Sequence, residues 1–223
     1  MKTESVLREF RAAGALLDGH FLLSSGLHSR HYLQAARVLM DAKRAAKLAR
    51  ALTKKIQAQI NKPIDYVISP AMGGIIIGHE VGRQLAVPAM FLERTNGIFH
   101  LRRGFDLKRP TTHKPIAKQK PTAKNKPTGT HKPTAKHKPR VLMVEDIVTT
   151  GLSSREAIAA IRRHGGVVVG AACLIDRSNG KAKMGVKLCA LAKLHIETFK
   201  PNKLPADLQH VPAVKPGSRD GAS

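Results

Sequence analysis

Five apolar runs of strand length recur along the sequence, separated by stretches with helical periodicity. They are Ile64-Asp65-Tyr66-Val67-Ile68, Ala89-Met90-Phe91-Leu92-Glu93-Arg94, Val141-Leu142-Met143-Val144, Val167 to Ile175 and Val186 to Leu191. Strands apolar on both faces are covered on both faces, and parallel neighbours need a crossover that a helix usually supplies. The pattern therefore predicts an α/β fold, with a mainly parallel central sheet flanked by helices. Residues 41–60 give one such helix: Asp41 is placed to cap it, Ala45, Leu48, Ala49, Leu52 and Ile56 share a face, and Asn61-Lys62-Pro63 ends it. A second helix runs from the turn Pro70-Ala71-Met72-Gly73-Gly74 to Leu85, and a third from Ser153 to His164, stopped by Gly165-Gly166. Asn96-Gly97 marks a hairpin whose return strand is Ile98 to Arg103. From Pro201 onward periodicity is lost, and a loosely packed arm is expected.

A chain of 223 residues can bury a core without covalent staples. Cys173 and Cys189 both sit in apolar runs and read as small core residues, as in a reducing compartment. No uncharged apolar run approaches membrane-spanning length, and Glu4 and Glu9 stand where a leader would be apolar. A cytoplasmic protein without a membrane span is expected. The net charge of +24 points to anionic partners, but it is unevenly spread. Residues 108–140 hold 11 Lys or Arg and no acid, whereas the rest of the chain has 28 basic and 15 acidic residues, a net +13. Within the tract, Pro115, Pro121, Pro127, Pro133 and Pro139 recur every six residues, each preceded by lysine. With regular prolines and no Leu, Val or aromatic residue, it is expected to be an extended, disordered, low-complexity insertion.

The most informative stretch is Val141-Leu142-Met143-Val144-Glu145-Asp146-Ile147-Val148-Thr149-Thr150-Gly151-Leu152-Ser153. It reads as a buried strand ending in two adjacent carboxylates, then hydroxyls and a glycine entering a helix. Backbone N–H groups and hydroxyls at such a helix start cradle an anion, and paired acids at a strand's carboxyl end accept from sugar hydroxyls. A generic strand, acidic turn and capped helix explains each feature singly, but not all of them in this order.

The stretch resembles the phosphoribosyl-pyrophosphate signature of type I phosphoribosyltransferases. The chain around it is similar to the orotate phosphoribosyltransferase family, especially its bacterial branch. The similarity runs through Gly19-His20-Phe21-Leu22-Leu23-Ser24-Ser25-Gly26, Tyr32-Leu33-Gln34, Gly73-Gly74, Leu101-Arg102-Arg103-Gly104-Phe105, Asp176-Arg177-Ser178 and Leu204-Pro205 through Arg219. It implies a single phosphoribosyltransferase domain over 1–223, with a small hood built from the N- and C-terminal segments. It also implies a symmetric homodimer and Mg²⁺-dependent transfer of ribose 5-phosphate from phosphoribosyl pyrophosphate to orotate. Glu145 and Asp146 would hold the ribose hydroxyls, and Ile147 and Val148, between them and the loop, would also belong to the phosphoribosyl-pyrophosphate-binding segment. Thr149, Thr150, Gly151, Leu152 and Ser153 would wrap the 5-phosphate, Thr149 also touching orotate. Gly73 and Gly74 would form the pyrophosphate loop. Arg177 would pair with orotate's carboxylate, and Tyr32 and Leu33 would cover the base. Arg94, Arg102 and Arg103 would be the catalytic residues: Arg94 would contact pyrophosphate, while Arg102 and Arg103, with His100, would lie in the hairpin leading to the mobile catalytic loop. The bland alternative for the two hairpin arginines is solvation of the hairpin. No protein metal site is implied, because Mg²⁺ would ride on substrate oxygens and water.

Two departures stand out. Ser24 occupies a position where some members carry a substrate-contacting lysine, and the tract 108–140 lies where the family has a short link. Excising 108–138 is expected to leave the fold intact and activity unchanged or raised. The alternative functions are a phosphoribosyl-pyrophosphate-sensing nucleic-acid binder and a transferase for another base. Against the former, the tract lacks aromatics for stacking, so weak nonspecific contact through 108–140 is all that its charge predicts.

Overall fold

Residues 1–23, 25–107 and 138–216 are described by the computed structural model. Its centre is a six-stranded sheet containing β3 (Tyr66–Pro70), β4 (Ala89–Thr95), β5 (Ile98–Leu101), β6 (Arg140–Val148), β7 (Val167–Asp176) and β8 (Leu188–Lys193). The order is β5-β4-β3-β6-β7-β8, parallel throughout except for the β4–β5 hairpin. Asn96 and Gly97 both take positive φ in its turn, which is why this dipeptide marks it.

Alternation along each strand divides the core between two faces. Val67, Leu142, Val144, Leu174 and Leu191 point one way. They meet α1 (Thr3–Ala12), α3 (Ala42–Gln59) and α4 (Gly74–Leu85) through Phe10, Leu48, Leu52, Ile56, Ile77 and Val81. Ile68, Val141, Met143, Ala171 and Cys173 point the other way, against Ala157, Ile158 and Ile161 of α5 (Leu152–Arg163). Asp41 caps α3 by accepting from the Arg44 backbone N–H at 3.0 Å. Both cysteines are free and buried, and burial pushes both thiols up.

Three expectations need correction. First, β6 does not stop at Val144. Its pairing with β7 continues from Glu145 opposite Cys173 to Val148 opposite Asp176, so both acids lie within the strand and project from opposite faces. Second, Arg140 is not part of the basic tract but opens β6. Its N–H and guanidinium bind Asp65 at 2.8–3.0 Å, a pairing that holds the guanidinium's pKa above its ordinary value. Of the remaining tract residues, 108–137 lie outside the described residues, as do Ser24 and 217–223.

Third, the C-terminal segment is not a loose arm through Pro216. β1 (Leu16–Leu22) and β2 (His28–Leu33) form an antiparallel hairpin with a register break between Asp18 and Phe21. Phe199 exchanges two 2.8 Å backbone bonds with His28, and Val214 is bonded to His20 and Leu22. His20, almost fully buried, bonds the Val211 carbonyl through Nδ1 and His28 Nδ1 through Nε2, each at 2.6 Å. A carbonyl only accepts, so His20 Nδ1 carries a proton, and in the neutral ring Nε2 accepts from His28. Arg30 adds a two-pronged pair to Asp207 at 2.7–2.8 Å. The small hood implied by the resemblance is thus built from both ends of the chain.

Candidate active site

Three strand ends adjacent in the sheet, those of β3, β6 and β7, open at its carboxyl edge, where ligands of α/β sheets collect. Glu145 points toward α5, where the Ser154 hydroxyl donates to its Oε2. Burial pushes the Glu145 carboxyl up to about 7; the Ser154 bond opposes that rise and neighbouring Asp146 adds to it. Asp146 accepts from the Ile147 N–H at 2.8 Å and is also raised by burial. Its carboxylate lies over the β3–α4 turn: a Cβ built on Gly73 would come 2.6 Å from Asp146 Oδ2. Gly73 is therefore the residue that lets this carboxylate and the turn share the space.

Thr149 and Thr150 are exposed in the loop after β6. Gly151 takes φ +75, and its Cβ would lie 3.0 Å from that of Ala182, so both conformation and space favour glycine. Thr150 Oγ1 accepts from the Leu152 N–H at 3.3 Å. The first-turn N–H groups of α5 have no helical acceptor and, with the hydroxyls of Thr149, Thr150 and Ser153, form an anion cradle. Ile147 packs against the core and the Val148 side chain is buried, leaving backbone groups for any ligand.

The Arg177 backbone N–H donates to the Val148 carbonyl at 2.8 Å, which sets the residue beside the cradle. Its Nε is buried without a hydrogen-bond partner among the described residues. Desolvation lowers the guanidinium's pKa, an effect that Tyr32 of the hood opposes electrostatically. The Leu33 side chain is core, so this part of the hood offers a ligand the Tyr32 face and backbone.

Arg94 lies within electrostatic reach of Glu145, bonds Glu156 and the Gly97 carbonyl at 2.5 Å, and stacks 3.9 Å from the Phe99 ring centroid. Arg103 is engaged with Glu93 at 2.8–3.0 Å, and this pairing holds the Glu93 carboxyl below its ordinary range. Arg102 is exposed beside it, and His100 is half-buried in β5. Two contributors escaped the sequence. Ser154 follows the motif by one residue, and the Phe199 and Val214 pairings join positions too distant to be read as a hairpin.

Glu145 provides a pH test of this geometry. Its carboxyl is raised in the fold, so the stability associated with its neutral form is fully present below the unfolded value of 4.5. That stability is lost as pH rises through about 7. Replacing Glu145 with Gln should abolish a decline of about 3 kcal/mol between about pH 5 and about pH 8. Urea unfolding of both proteins at the two pH values measures it.

A carboxylate pair beside an anion cradle, flanked by a half-buried arginine, is suited to hold a phosphorylated sugar with an anionic acceptor. Residues 37–190 match the family model described as phosphoribosyl transferase domain, and the chain belongs to that family. Within it the chain falls among the orotate phosphoribosyltransferases. It is 52% identical over 219 residues to the one from Rhizorhabdus wittichii, covering 98% of this chain and 97% of that protein. The Erythrobacter litoralis protein of the same name is also 52% identical, with 98% and 99% covered. Among solved structures, the orotate phosphoribosyltransferase of Aeropyrum pernix superposes with a TM-score of 0.62 at 25% identity, over 85% of this chain and 93% of that one. The Mycobacterium tuberculosis enzyme in complex with 5-phospho-α-D-ribosyl 1-diphosphate gives 0.57 at 18% identity, over 85% and 95%, and shares the fold.

Proposed function

We propose that this chain transfers ribose 5-phosphate from phosphoribosyl pyrophosphate to N1 of orotate, releasing pyrophosphate and making a pyrimidine nucleotide. The observation that carries this reading is Arg177. A half-buried guanidinium whose Nε is shielded from solvent and unpartnered is costly unless an anion completes it, and orotate's planar carboxylate matches its donors. In the reaction the C1–oxygen bond to pyrophosphate breaks as the N1–C1 bond forms. Glu145 and Asp146 accept from the ribose hydroxyls, and the α5 cradle holds the 5-phosphate. The Gly73-Gly74 backbone and Arg94 face the leaving pyrophosphate, with Arg102 and Arg103 on the hairpin that leads into the closing loop.

Positioning and charge stabilisation are then the protein's main contributions. Magnesium enters as part of the substrate. The ion would be carried on pyrophosphate oxygens and water, where it neutralises charge on the leaving group. Exposed Met72 and Ile76 beside the β3–α4 turn supply apolar surface for the second subunit of a homodimer. The free thiols fit a cytoplasmic setting. No described helix is long and apolar enough to cross a membrane.

A panel of bases tests the reading. Uracil is orotate without the carboxylate and should be at least about a hundredfold poorer in kcat/KM, with adenine and hypoxanthine inactive. Turnover of uracil as fast as orotate would overturn the assignment of Arg177.

The tract has a separate test. Leu107 Cδ1 and Val141 Cγ2 both crowd Gly166, each 3.1 Å from where its Cβ would lie, so the chain leaves and re-enters the core at one place. Replacing 108–137 by a short Gly/Ser linker should preserve the melting temperature and leave orotate turnover unchanged or raised. Lost turnover in a folded variant would make the tract part of the working loop. Its removal should also weaken the salt-sensitive retention of the protein on a polyanion resin.

A further inference from the structure

Ser154 is 1% exposed, on the first turn of α5, with its hydroxyl spent on Glu145 Oε2. A serine that faced the core without purpose would be readily replaced by alanine. Here the donor meets a carboxylate that is itself only 8% exposed, where each hydrogen bond to the charged form matters most.

The other groups acting on Glu145 are less firmly fixed or act in the opposite sense. Asp146, on its own strand, repels it. Arg94, on β4, is exposed and shared with Glu156. Cys173, its register partner on β7, is a buried thiol pushed toward its neutral form. Ser153, on α5, adds a weaker bond and is only half-buried.

We propose that Ser154 is a positioning residue for the sugar grip: from α5 it pins one oxygen of Glu145 and so fixes the carboxylate plane that accepts from the ribose hydroxyls. The helix that cradles the 5-phosphate thereby also sets the angle of the group holding the same sugar. Binding of one end of the ribose phosphate is coupled to readiness at the other. This rests on Glu145 being a ribose ligand, as proposed above.

The test combines Ser154→Ala with Ser154→Cys, which keeps the volume but is a poor donor. The Glu145 side-chain carboxyl is titrated by carbon NMR in the whole protein, and phosphoribosyl pyrophosphate binding is measured by calorimetry. Both variants should move the carboxyl midpoint up by about one pH unit and weaken phosphoribosyl pyrophosphate about tenfold near neutral pH. In turnover the loss should fall on KM for phosphoribosyl pyrophosphate, with KM for orotate within about twofold of wild type. In a Glu145→Ala background, Ser154→Ala should cost nothing further in phosphoribosyl pyrophosphate binding, because the acceptor it acts through is gone.

An unmoved midpoint, an equal loss for both substrates, or full additivity with Glu145→Ala would overturn the proposal. So would a Ser154→Cys variant that behaves as wild type, because volume alone would then suffice. Absence of orotate turnover in the wild type would instead overturn the assigned reaction. The carboxyl titration and the calorimetry would still decide the role of Ser154.

Discussion

Replacing Arg177 with leucine should raise the KM for orotate by about two to three orders of magnitude while leaving phosphoribosyl pyrophosphate binding within about twofold. The size follows from burial. Truncating one partner of a desolvated charge pair costs about 2–5 kcal/mol, because the other charge is left without compensation. With Arg177 gone, orotate's carboxylate would meet the Tyr32 face and the Val148 carbonyl, neither of which neutralises it. Lysine is a poor substitute, since a single ammonium cannot present two parallel donors to a planar carboxylate. Free leucine-variant protein should be at least as stable as wild type, because a half-buried cation with a shielded, orphan Nε has been removed. Steady-state kinetics in each substrate and a thermal melt separate these effects. Equal losses for both substrates would place Arg177 in the scaffold.

Gly73→Ala should cost about a hundredfold in kcat/KM for phosphoribosyl pyrophosphate with only a modest loss of stability. The new Cβ would stand 2.6 Å from Asp146 Oδ2 and 2.9 Å from its Cγ, so one of the two must yield. Asp146 is short and tied to the Ile147 N–H, and moving its carboxylate gives up that bond. The fold can absorb such a shift for about 1–3 kcal/mol, since the atoms displaced are side-chain atoms near the rim. The site cannot, because displacement of about 1 Å in a positioning group is enough for a hundredfold loss. Kinetics alongside urea unfolding would show whether activity falls far more than stability. A variant with wild-type KM would mean that Asp146 does not hold the sugar.

Much of this was legible in sequence where the determinants are local. The hairpin at Asn96-Gly97, the cap at Asp41 and the start of α5 after Gly151 each depend on a few consecutive residues, and each stands where the pattern puts it. The motif Val141 to Ser153 sets Glu145, Asp146 and the Thr149–Ser153 loop at one edge, and Asp176-Arg177-Ser178 puts Arg177 at the next strand end. What failed depends on distant partners. β6 runs through its two acids because β7 keeps pairing with it, which apolar content alone does not reveal. Arg140 was grouped with the tract by composition, although Asp65 claims it for the sheet. The C-terminal residues lack periodicity because they add isolated bridges to the hood instead of forming a regular element. Ser154 is a generic first-turn serine until the register of β6 sets Glu145 opposite it.

The most direct measurement is product formation by the full chain given orotate, phosphoribosyl pyrophosphate and Mg²⁺. The predicted result is orotidine 5′-monophosphate and pyrophosphate in equal amounts, with neither formed when any of the three is left out. Pyrophosphate release without orotate consumption, or ribosyl transfer to a different base in preference to orotate, would contradict the account.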